Sequence, residues 1–418
     1  MGILGMSKPT KSGDAAERES GIRAVDRVLP ERVDRRRFLE TAVTGTMLAI
    51  AGCSGTGGGG QDTTTTTTAS DDGDTTTESS GPIGSDVGFR LPVEPGPNYV
   101  TAFAAQQQGF WEEAGITPLT PEGGNGSGDT SKRIATGVNT VGHSAVTPQV
   151  AGLARGEFNL LQFGTAKART QAGLIYRTDQ IEDAFDPSSL RGAKIAAADG
   201  LDEQMWQLFL DGIGASDIEL EYIDTSAAAT LLQRNEIHAI WDSINDFAEL
   251  QAQLDAELSF APMYNVEPLG GYYMIVNEGW YNDNDHATEW VTRLMEGYSA
   301  AGHWALTNRE AAMEMLMEQV PELQTLGTEE LLRPLAAGVA ATNLTSGVKE
   351  NGFGYLDREV QETTFGTISR ILDLETPDAE QRRLTEVTDQ VELTQFSDDE
   401  WADLQEFAEP YASFFEEP

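Results

Sequence analysis

The chain has 418 residues, of which 68 are acidic and 27 basic, so its formal net charge at pH 7 is −41. A charge of this sign repels nucleic acid and anionic lipid headgroups, and we expect neither as a partner. The hydrophobic content of 39% and the seven tryptophans exclude a wholly disordered chain, and the length predicts one large or two linked domains.

Acidic residues are spread along the whole chain, whereas lysine is scarce. This distribution of charge favours a protein that stays soluble in very salty surroundings, as in a halophilic archaeon, where salt screens the repulsion between its acidic residues. An ordinary acidic extracellular protein is the alternative. Cys53 is the single cysteine and the four histidines are scattered, so we predict no disulfide within the chain, no metal site and no cofactor.

The N-terminal residues 1–52 carry the features of an export signal. The run DRRRFLE is similar to the twin-arginine export motif, with Arg35 and Arg36 as the arginine pair. An apolar stretch follows that is too short to span a bilayer. It ends in Ile-Ala-Gly-Cys53, which is similar to a lipobox, the motif whose cysteine becomes a lipidated N-terminus. We therefore predict export to the outer face of the cytoplasmic membrane and attachment there through a lipid on Cys53 alone.

Residues 53–86 have low complexity and are dominated by Gly, Thr, Ser and Asp. Such residues cannot bury enough apolar surface to offset the entropy of an ordered chain. We predict a flexible tether, which would hold a folded domain near the membrane without embedding it.

From residue 87 onward, short apolar runs alternate with helical patterns, which predicts an α/β fold with a largely parallel sheet. The predicted strands are 87–91, 117–120, 140–144, 158–164, 174–177, 193–197, 218–223, 237–241, 258–263 and 270–277. The predicted helices are 99–108, 147–155, 201–212, 226–235, 245–254, 286–301, 308–319, 328–341, 358–374 and 398–409. Tyr272 and Tyr273 point to opposite faces of their strand, so we expect one in the core and the other in a cleft or hinge.

Residues 121–149 combine a Gly-rich loop, a short helix and a short strand. Glycines such as Gly124 let a ligand approach the backbone closely, and free N–H groups at the helix start attract polar or anionic groups. We expect this stretch to form half of a small-molecule cleft. An ordinary solvated loop is the alternative.

Several runs occur in the order found in one known family. They are QQGFWEEAGI at 107–116, Gly123 and Gly124, NTVGHS at 139–144, LRGAKI at 190–195 and LLQRNEIHAIW at 231–241. Through them the chain from about 87 to 320 resembles the substrate-binding proteins of ABC importers, in the group that binds thiamine-pyrimidine precursors, nitrate, sulfonates and taurine.

The resemblance implies a type II periplasmic-binding-protein fold, in which two α/β lobes joined by hinge strands close on a ligand and no reaction is catalysed. The implied parts are lobe one at 87–177 and 271–345, lobe two at 178–270, hinge crossings at 174–177 and 271–276, and a helical acidic extension at 346–418. The aromatic spacing in the extension also suits a packed cover. The implied partners are a small-molecule ligand and the permease and ATPase subunits, and we expect a monomer.

Ligand contacts in such folds lie at strand ends and helix starts. The predicted contacts are Asn98, Tyr99, Gly124, Asn125, Ser127, Ser144 and Thr165 in lobe one, and Asp202, Trp241, Asp242 and Asn245 in lobe two. Trp241 beside Asp242 suits a flat ring that stacks on the indole and donates N–H bonds to the carboxylate. We therefore expect a thiamine-precursor-like aminopyrimidine.

Other ligands and roles stay open. A cationic amine would also suit Trp241 and Asp242, through cation–π contact with the indole. An anion such as nitrate, sulfonate or taurine is favoured by four bases near the cleft of lobe one, Lys132, Arg133, Lys167 and Arg169. Trp241 also reads as a core residue and Asp202 as a first-turn acid. A ligand-free surface receptor and a relative of the pyrimidine-synthesising enzymes are the other classes, although the enzymes use a Cys-rich stretch that this chain lacks.

Overall fold

The computed structural model describes residues 88–117, 119–197, 202–215, 218, 220–224 and 227–416. The predicted export motif with Arg35 and Arg36, the predicted lipid site Cys53 and the predicted tether lie outside these residues. Within the described ranges, no helix has both the length and the apolar character needed to cross a membrane. No group of three or more His, Cys, Asp or Glu side chains in the same ranges is arranged to hold a metal ion.

The strands form two five-stranded sheets. The first sheet contains β1 (Phe89–Arg90), β2 (Pro121–Glu122), β3 (Val141–Ala145), β4 (Leu160–Lys167) and β10 (Tyr272–Asn277). The second contains β5 (Ala172–Arg177), β6 (Ile195–Ala197), β7 (Leu220–Tyr222), β8 (Ala239–Ser243) and β9 (Leu258–Pro262). The predicted strands are confirmed with small shifts at their ends, except that 117–120 is wrong. The strand there is β2, a two-residue edge strand, where a proline is tolerated because its missing N–H faces no neighbour.

Both sheets have the same topology. The strand order is β2-β1-β3-β10-β4 in the first and β7-β6-β8-β5-β9 in the second. In each, one antiparallel strand, β10 or β5, pairs between two strands that run the other way. This duplicated arrangement defines two lobes, as the two-lobe prediction requires.

The chain crosses between the sheets at residues 168–171, which join β4 to β5, and again at 263–271, which join β9 to β10. Both crossings precede the predicted positions by a few residues. The apolar residues at 174–177 and 271–276 are mostly buried inside the sheets, where the strand ladder fixes them.

Helices cover the sheets and make up most of the chain after β10. They are α1 (Val100–Gln107), α2 (Phe110–Glu113), α3 (Ser127–Ala135), α4 (Val146–Ala154), α5 (Pro187–Leu190), α6 (Asp202–Ile213), α7 (Ala228–Gln233), α8 (Ile244–Gln253), α9 (Glu278–Asp283), α10 (Ala287–Thr307), α11 (Arg309–Gln319), α12 (Thr328–Leu335), α13 (Ser346–Asn351), α14 (Arg358–Ile371), α15 (Ala379–Arg382), α16 (Thr385–Thr388) and α17 (Asp398–Ala412). A π-helical segment, Ala336–Ala341, continues α12.

The last helix packs onto the folded lobes. Its residues Trp401, Leu404 and Tyr411 are buried in the main core, as the helical spacing of its aromatic residues predicts. Beyond the helix, Phe414 makes edge contacts with Phe247 of the second lobe, with the ring centroids 5.2 Å apart. The C-terminal helices therefore connect the two lobes in addition to the two crossings.

Candidate functional site

A cleft of about 450 Å³ lies between the carboxyl ends of strands from both sheets. One wall contains the starts of α3 and α4 and the end of β3, and the opposite wall contains the end of β8 and Met205 of α6. The crossing residues 170–171 and 269–271 and the side chain of Tyr272 form its floor. Strand ends of this kind are where α/β sheets bind ligands.

The first-lobe wall is shaped by a tight turn before α3. Gly126 has φ +109°, a conformation that favours glycine, and it leads directly into the helix. Ser127 Oγ accepts a hydrogen bond of 3.1 Å from the N–H of Ala145, so the helix start is fixed to the end of β3. Thr147 extends from this wall to within 4.0 Å of the sulfur of Met205 in the second lobe. The two lobes thus touch across the cleft.

The second-lobe wall carries Trp241 and Asp242. The indole of Trp241 is 1% exposed and packs on Trp206 and Phe209, with ring centroids 5.5 and 5.4 Å away. Trp241 is among the residues that line the cleft, but these ring contacts are core contacts. Asp242 follows at the strand end and is partly exposed, and its Oδ1 accepts a 2.8 Å bond from the N–H of Ser243.

A buried lysine lies behind the floor of the cleft. Lys167 is 1% exposed, and its ammonium donates a short hydrogen bond to Oε1 of Gln171. The same oxygen accepts a 3.1 Å bond from Asn245, while Nε2 of Gln171 donates to the hydroxyl of Tyr272 at 3.1 Å. The ammonium also lies 4.7 Å from the centre of the Tyr272 ring. Gln171 and Tyr272 therefore separate this lysine from the cleft.

Burial controls the ionisation of this region. It lowers the pKa of Lys167 to about 7, although the nearby charge of Asp246 opposes that shift. Burial, together with the charge of Lys167, lowers the pKa of His143 to about 3. Burial raises the pKa of Tyr99 well above its usual range. Near neutral pH, His143 and Tyr99 are uncharged, and Lys167 is close to its titration midpoint.

Three of the predicted contacts, Ser127, Trp241 and Asp242, lie in the lining of the cleft. Their contact with a ligand stays a prediction. Tyr272 also lines the cleft whereas Tyr273 is 1% exposed in the core, which confirms the predicted division of the pair.

Gly124 and Asn125 lie outside the lining. A Cβ on Gly124 would be 2.2 Å from the carbonyl oxygen of Leu91 and 2.5 Å from that of Pro92. The close approach that this glycine permits in the structure is to the chain itself. Asn125 is exposed.

Ser144 and Thr165 are also structural. The hydroxyl of Ser144 is fully buried, 2.7 Å from that of Ser131 and 3.1 Å from Nε2 of Gln149. Thr165 is buried and donates a 3.0 Å bond to the backbone carbonyl of Tyr355. Both hydroxyls are therefore satisfied by hydrogen bonds within the chain, as buried polar groups usually are.

Asn98 and Asn245 come together, but against the chain's own C-terminal part. A Cβ on Gly338, in the π-helical segment, would be 1.9 Å from Oδ1 of each. Tyr99 is buried and its ring lies 6.0 Å from the ammonium of Lys167. Asp202 is the first residue of α6, but its side chain lies outside the description. Of Asn98, Gly124 and Trp241, which were expected to line one crevice, only Trp241 lies in the lining of this cleft. Contact of the three with a ligand stays a prediction.

The bases predicted near the cleft do not line it. Arg133 bonds to Asp129 on α3 at 3.0 Å, and Lys132 is exposed. Arg169 donates to the carbonyl oxygen of Ala341 at 2.7 Å and lies over the ring of Phe415 at 4.1 Å, so it anchors the C-terminal segment. Sequence reasoning missed Gln171 and Thr147, whose only signal is that they are polar next to a strand end.

The fold is that of the type II periplasmic binding proteins. The chain is similar to the aliphatic sulphonate-binding protein SsuA of Escherichia coli, with 13% identity and a TM-score of 0.55 over 73% of this chain and all (100%) of that one. It is similar to the ligand-binding component of an ABC-type import system from Staphylococcus aureus, with 7% identity and a TM-score of 0.51 over 73% of this chain and 99% of that one. It also resembles the alkanesulfonate-binding protein SsuA of Xanthomonas axonopodis pv. citri, bound to MOPS, with 16% identity and a TM-score of 0.50 over 71% of this chain and 96% of that one.

The chain belongs to the NMT1/THI5-like family, whose model matches residues 96–312, just over half of the 418 residues. Comparison with curated protein sequences gives no significant match. The predicted family and the predicted two-lobe fold are therefore confirmed.

Proposed function

We propose that this chain is the extracytoplasmic substrate-binding component of an ABC importer, which holds a small organic solute between its two lobes and delivers it to a permease. The observation that carries the proposal is the cleft, because side chains of both lobes face one space of about 450 Å³. A ligand that touches both walls stabilises the closed arrangement relative to the open one. The similar structures, two sulphonate-binding proteins and one import-system component, support this role.

The preferred solute in this proposal bears an amino group, and a thiamine-precursor-like aminopyrimidine is the first candidate. Asp242 is the only charged side chain among the described residues that line the cleft, and a carboxylate accepts N–H donors. The aromatic residues Tyr272 and Trp241, both in the cleft lining, suit a flat heterocycle. Nitrate, sulfonate or taurine is the alternative, favoured by the cation of Lys167 behind the floor and opposed by Asp242.

The chain makes and breaks no bond in this role. The alternatives are a ligand-free receptor and a pyrimidine-synthesising enzyme relative. They differ from a binding protein in measurable ways, since a receptor would bind no solute and an enzyme would change it. Both are outcomes of the following experiment.

Thermal unfolding of the full chain in high salt tests the role. Aminopyrimidines, small amines, taurine, other sulfonates and nitrate are added separately. A true ligand stabilises the folded state by about 2.7 kcal/mol at a hundredfold excess over its Kd and so raises Tm. We expect an aminopyrimidine to give the largest shift, and the recovered solute to be unaltered.

The matched variants are Asp242→Asn and Asp255→Asn. The first removes the carboxylate charge at the cleft, and the second makes the same change at an exposed position of the same lobe. We expect the shift to disappear in Asp242→Asn and to persist in Asp255→Asn. A wild-type chain that no solute stabilises would contradict the binding role, and a chemically changed solute would favour the enzyme.

We also propose that the protein is held at the outer face of the cytoplasmic membrane by a lipid on Cys53, because the export motif and the cysteine stand in the order of a lipoprotein signal. Fractionation of cells that express the full chain checks this. The wild-type chain should require detergent for release, whereas Cys53→Ala should be found in the soluble exported fraction. Equal membrane retention of the two chains would contradict the anchor.

A further inference from the structure

Asn98 and Asn245 bring the two lobes together at a second place, outside the cleft lining. Asn98 lies between β1 and α1 in the first lobe, and β1 runs parallel to β3, whose end lines the cleft. Asn245 is the second residue of α8, directly after the end of β8 in the second lobe. Both side chains therefore lie on the sheet edges that face each other, and closure of the lobes brings them together.

The two side chains meet at Gly338, in the buried π-helical segment Ala336–Ala341. A Cβ on this glycine would lie 1.9 Å from Oδ1 of Asn98 and 1.9 Å from Oδ1 of Asn245, and 2.9 Å from Cγ of Asn245. Neither amide oxygen accepts a hydrogen bond within the described residues. Short-range repulsion, and not a hydrogen bond to these oxygens, therefore limits how closely the lobes approach here.

The segment that carries this glycine is held in place from behind. Arg169, in the first crossing between the lobes, donates a 2.7 Å bond to the carbonyl oxygen of Ala341, and α17 packs against the segment. The side chain of Asn245 is also held, because it is 8% exposed and donates a 3.1 Å bond to Gln171 in the same crossing. A methyl group added to the glycine would therefore push the lobes apart instead of moving the segment away.

We infer that Gly338 is a positioning residue for solute binding, which sets how closely Asn98 and Asn245, and with them the two lobes, approach when the cleft closes. This role rests on the proposed binding function and acts on the width of the closed cleft, because Gly338 lies outside the cleft lining. A side chain at position 338 stops closure earlier. A solute that must touch both walls then binds more weakly, because its binding-competent arrangement is less populated.

Distances between the lobes test this role without any solute. Spin labels at Val138→Cys and Glu182→Cys, in a Cys53→Ser background, report how closely the lobes approach. A Cβ that would lie 1.9 Å from its neighbours reaches ordinary contact only when they move by on the order of 2 Å. We expect Gly338→Ala to lose the shortest distances of the labelled parent chain and to show longer ones. Gly366→Ala should keep them, because a Cβ there, in α14, meets nothing within 4 Å.

Removal of the two asparagine side chains is the control for the contact itself. In an Asn98→Ala, Asn245→Ala background the added Cβ no longer meets its nearest atoms. Gly338→Ala should therefore leave the distances of that background unchanged, and should fold there even if it does not fold alone. Distances in Gly338→Ala that equal those of the parent chain, as when Asn98 merely turns aside, would overturn the role. So would a lengthening, or a failure to fold, that persists in the double-alanine background.

Calorimetric titration of the full chain tests the effect on binding. The probes are 4-aminopyrimidine, methylamine, taurine, methanesulfonate and nitrate, one from each class of the thermal experiment. We expect the probe that wild type binds most tightly to bind Gly338→Ala about tenfold or more weakly, and Gly366→Ala with unchanged affinity. Unchanged affinity in a Gly338→Ala chain whose distances have lengthened would overturn the role in binding. If wild type bound no probe, the binding function would be contradicted, whereas the distances would still decide whether Gly338 limits the approach of the lobes.

Discussion

At the residue scale, Trp241 and Asp242 show how two neighbours on one strand take different roles. Adjacent side chains of a strand point to opposite faces, so the sequence predicts different surroundings for Trp241 and Asp242. The burial of the indole is not predictable, because Trp206 and Phe209 of helix α6 cover it. The sequence thus located Asp242 at a strand end but could not separate core from cleft for Trp241.

Replacing Trp241 should damage the fold more than it changes ligand selectivity. Trp241→Ala removes a side chain that is 1% exposed, and such truncations cost about 3–5 kcal/mol of unfolding free energy. Val138→Ala, at a position that is 65% exposed, should stay within about 0.5 kcal/mol of wild type. Denaturant titration in high salt measures both. A Trp241→Ala chain of wild-type stability that no longer binds solute would show instead that the indole is chiefly a ligand contact.

Buried polar residues are the other residue-scale lesson. Ser144 and Thr165 follow or end strands, as ligand contacts do, and their sequence context gives no means of telling the two cases apart. Gln149 follows Ser144 by five residues, whereas Tyr355 is 190 residues from Thr165 and becomes its neighbour only when the fold forms. Polarity at a strand end therefore predicts a hydrogen bond, and only the tertiary structure shows whether the partner is a ligand.

At the element scale, the alternation of apolar runs and helical periods was sufficient to predict most strands and helices. The largest local error was the strand at 117–120, because the edge strand β2 has only two residues and leaves almost no pattern. The crossings observed at 168–171 and 263–271 were predicted a few residues too far along the chain, for a different reason. A strand and an extended crossing have the same local pattern, and only the pairing of β5 and β10 with their neighbours distinguishes them.

The Gly-rich loop before α3 behaves partly as predicted. Gly126 permits the turn that brings Ser127 and the start of the helix to the cleft. Gly124 is required for packing under the carbonyl oxygens of Leu91 and Pro92. One short loop therefore contains glycines with two different functions, which composition alone cannot resolve.

At the scale of the whole molecule, two sheets of equal topology enclose one cleft, and the C-terminal helices connect them. The resemblance to substrate-binding proteins supplied the two-lobe prediction. It did not predict that the π-helical segment at Ala336–Ala341 would lie against Asn98 and Asn245, because that contact joins positions about a hundred residues or more apart. Asn98 and Asn245 therefore pack against the chain's own C-terminal part, whereas the cleft is lined by residues such as Ser127, Asp242 and Tyr272.

The distance between the lobes with and without solute tests the central claim most directly. Spin labels at Val138→Cys in lobe one and Glu182→Cys in lobe two, in a Cys53→Ser background, report this distance, and both positions are exposed. The solute that most raises Tm should shorten and narrow the distance distribution, and Asp242→Asn should abolish that change. A distribution that stays the same when such a solute saturates the wild-type protein would contradict closure of the two lobes around the cleft.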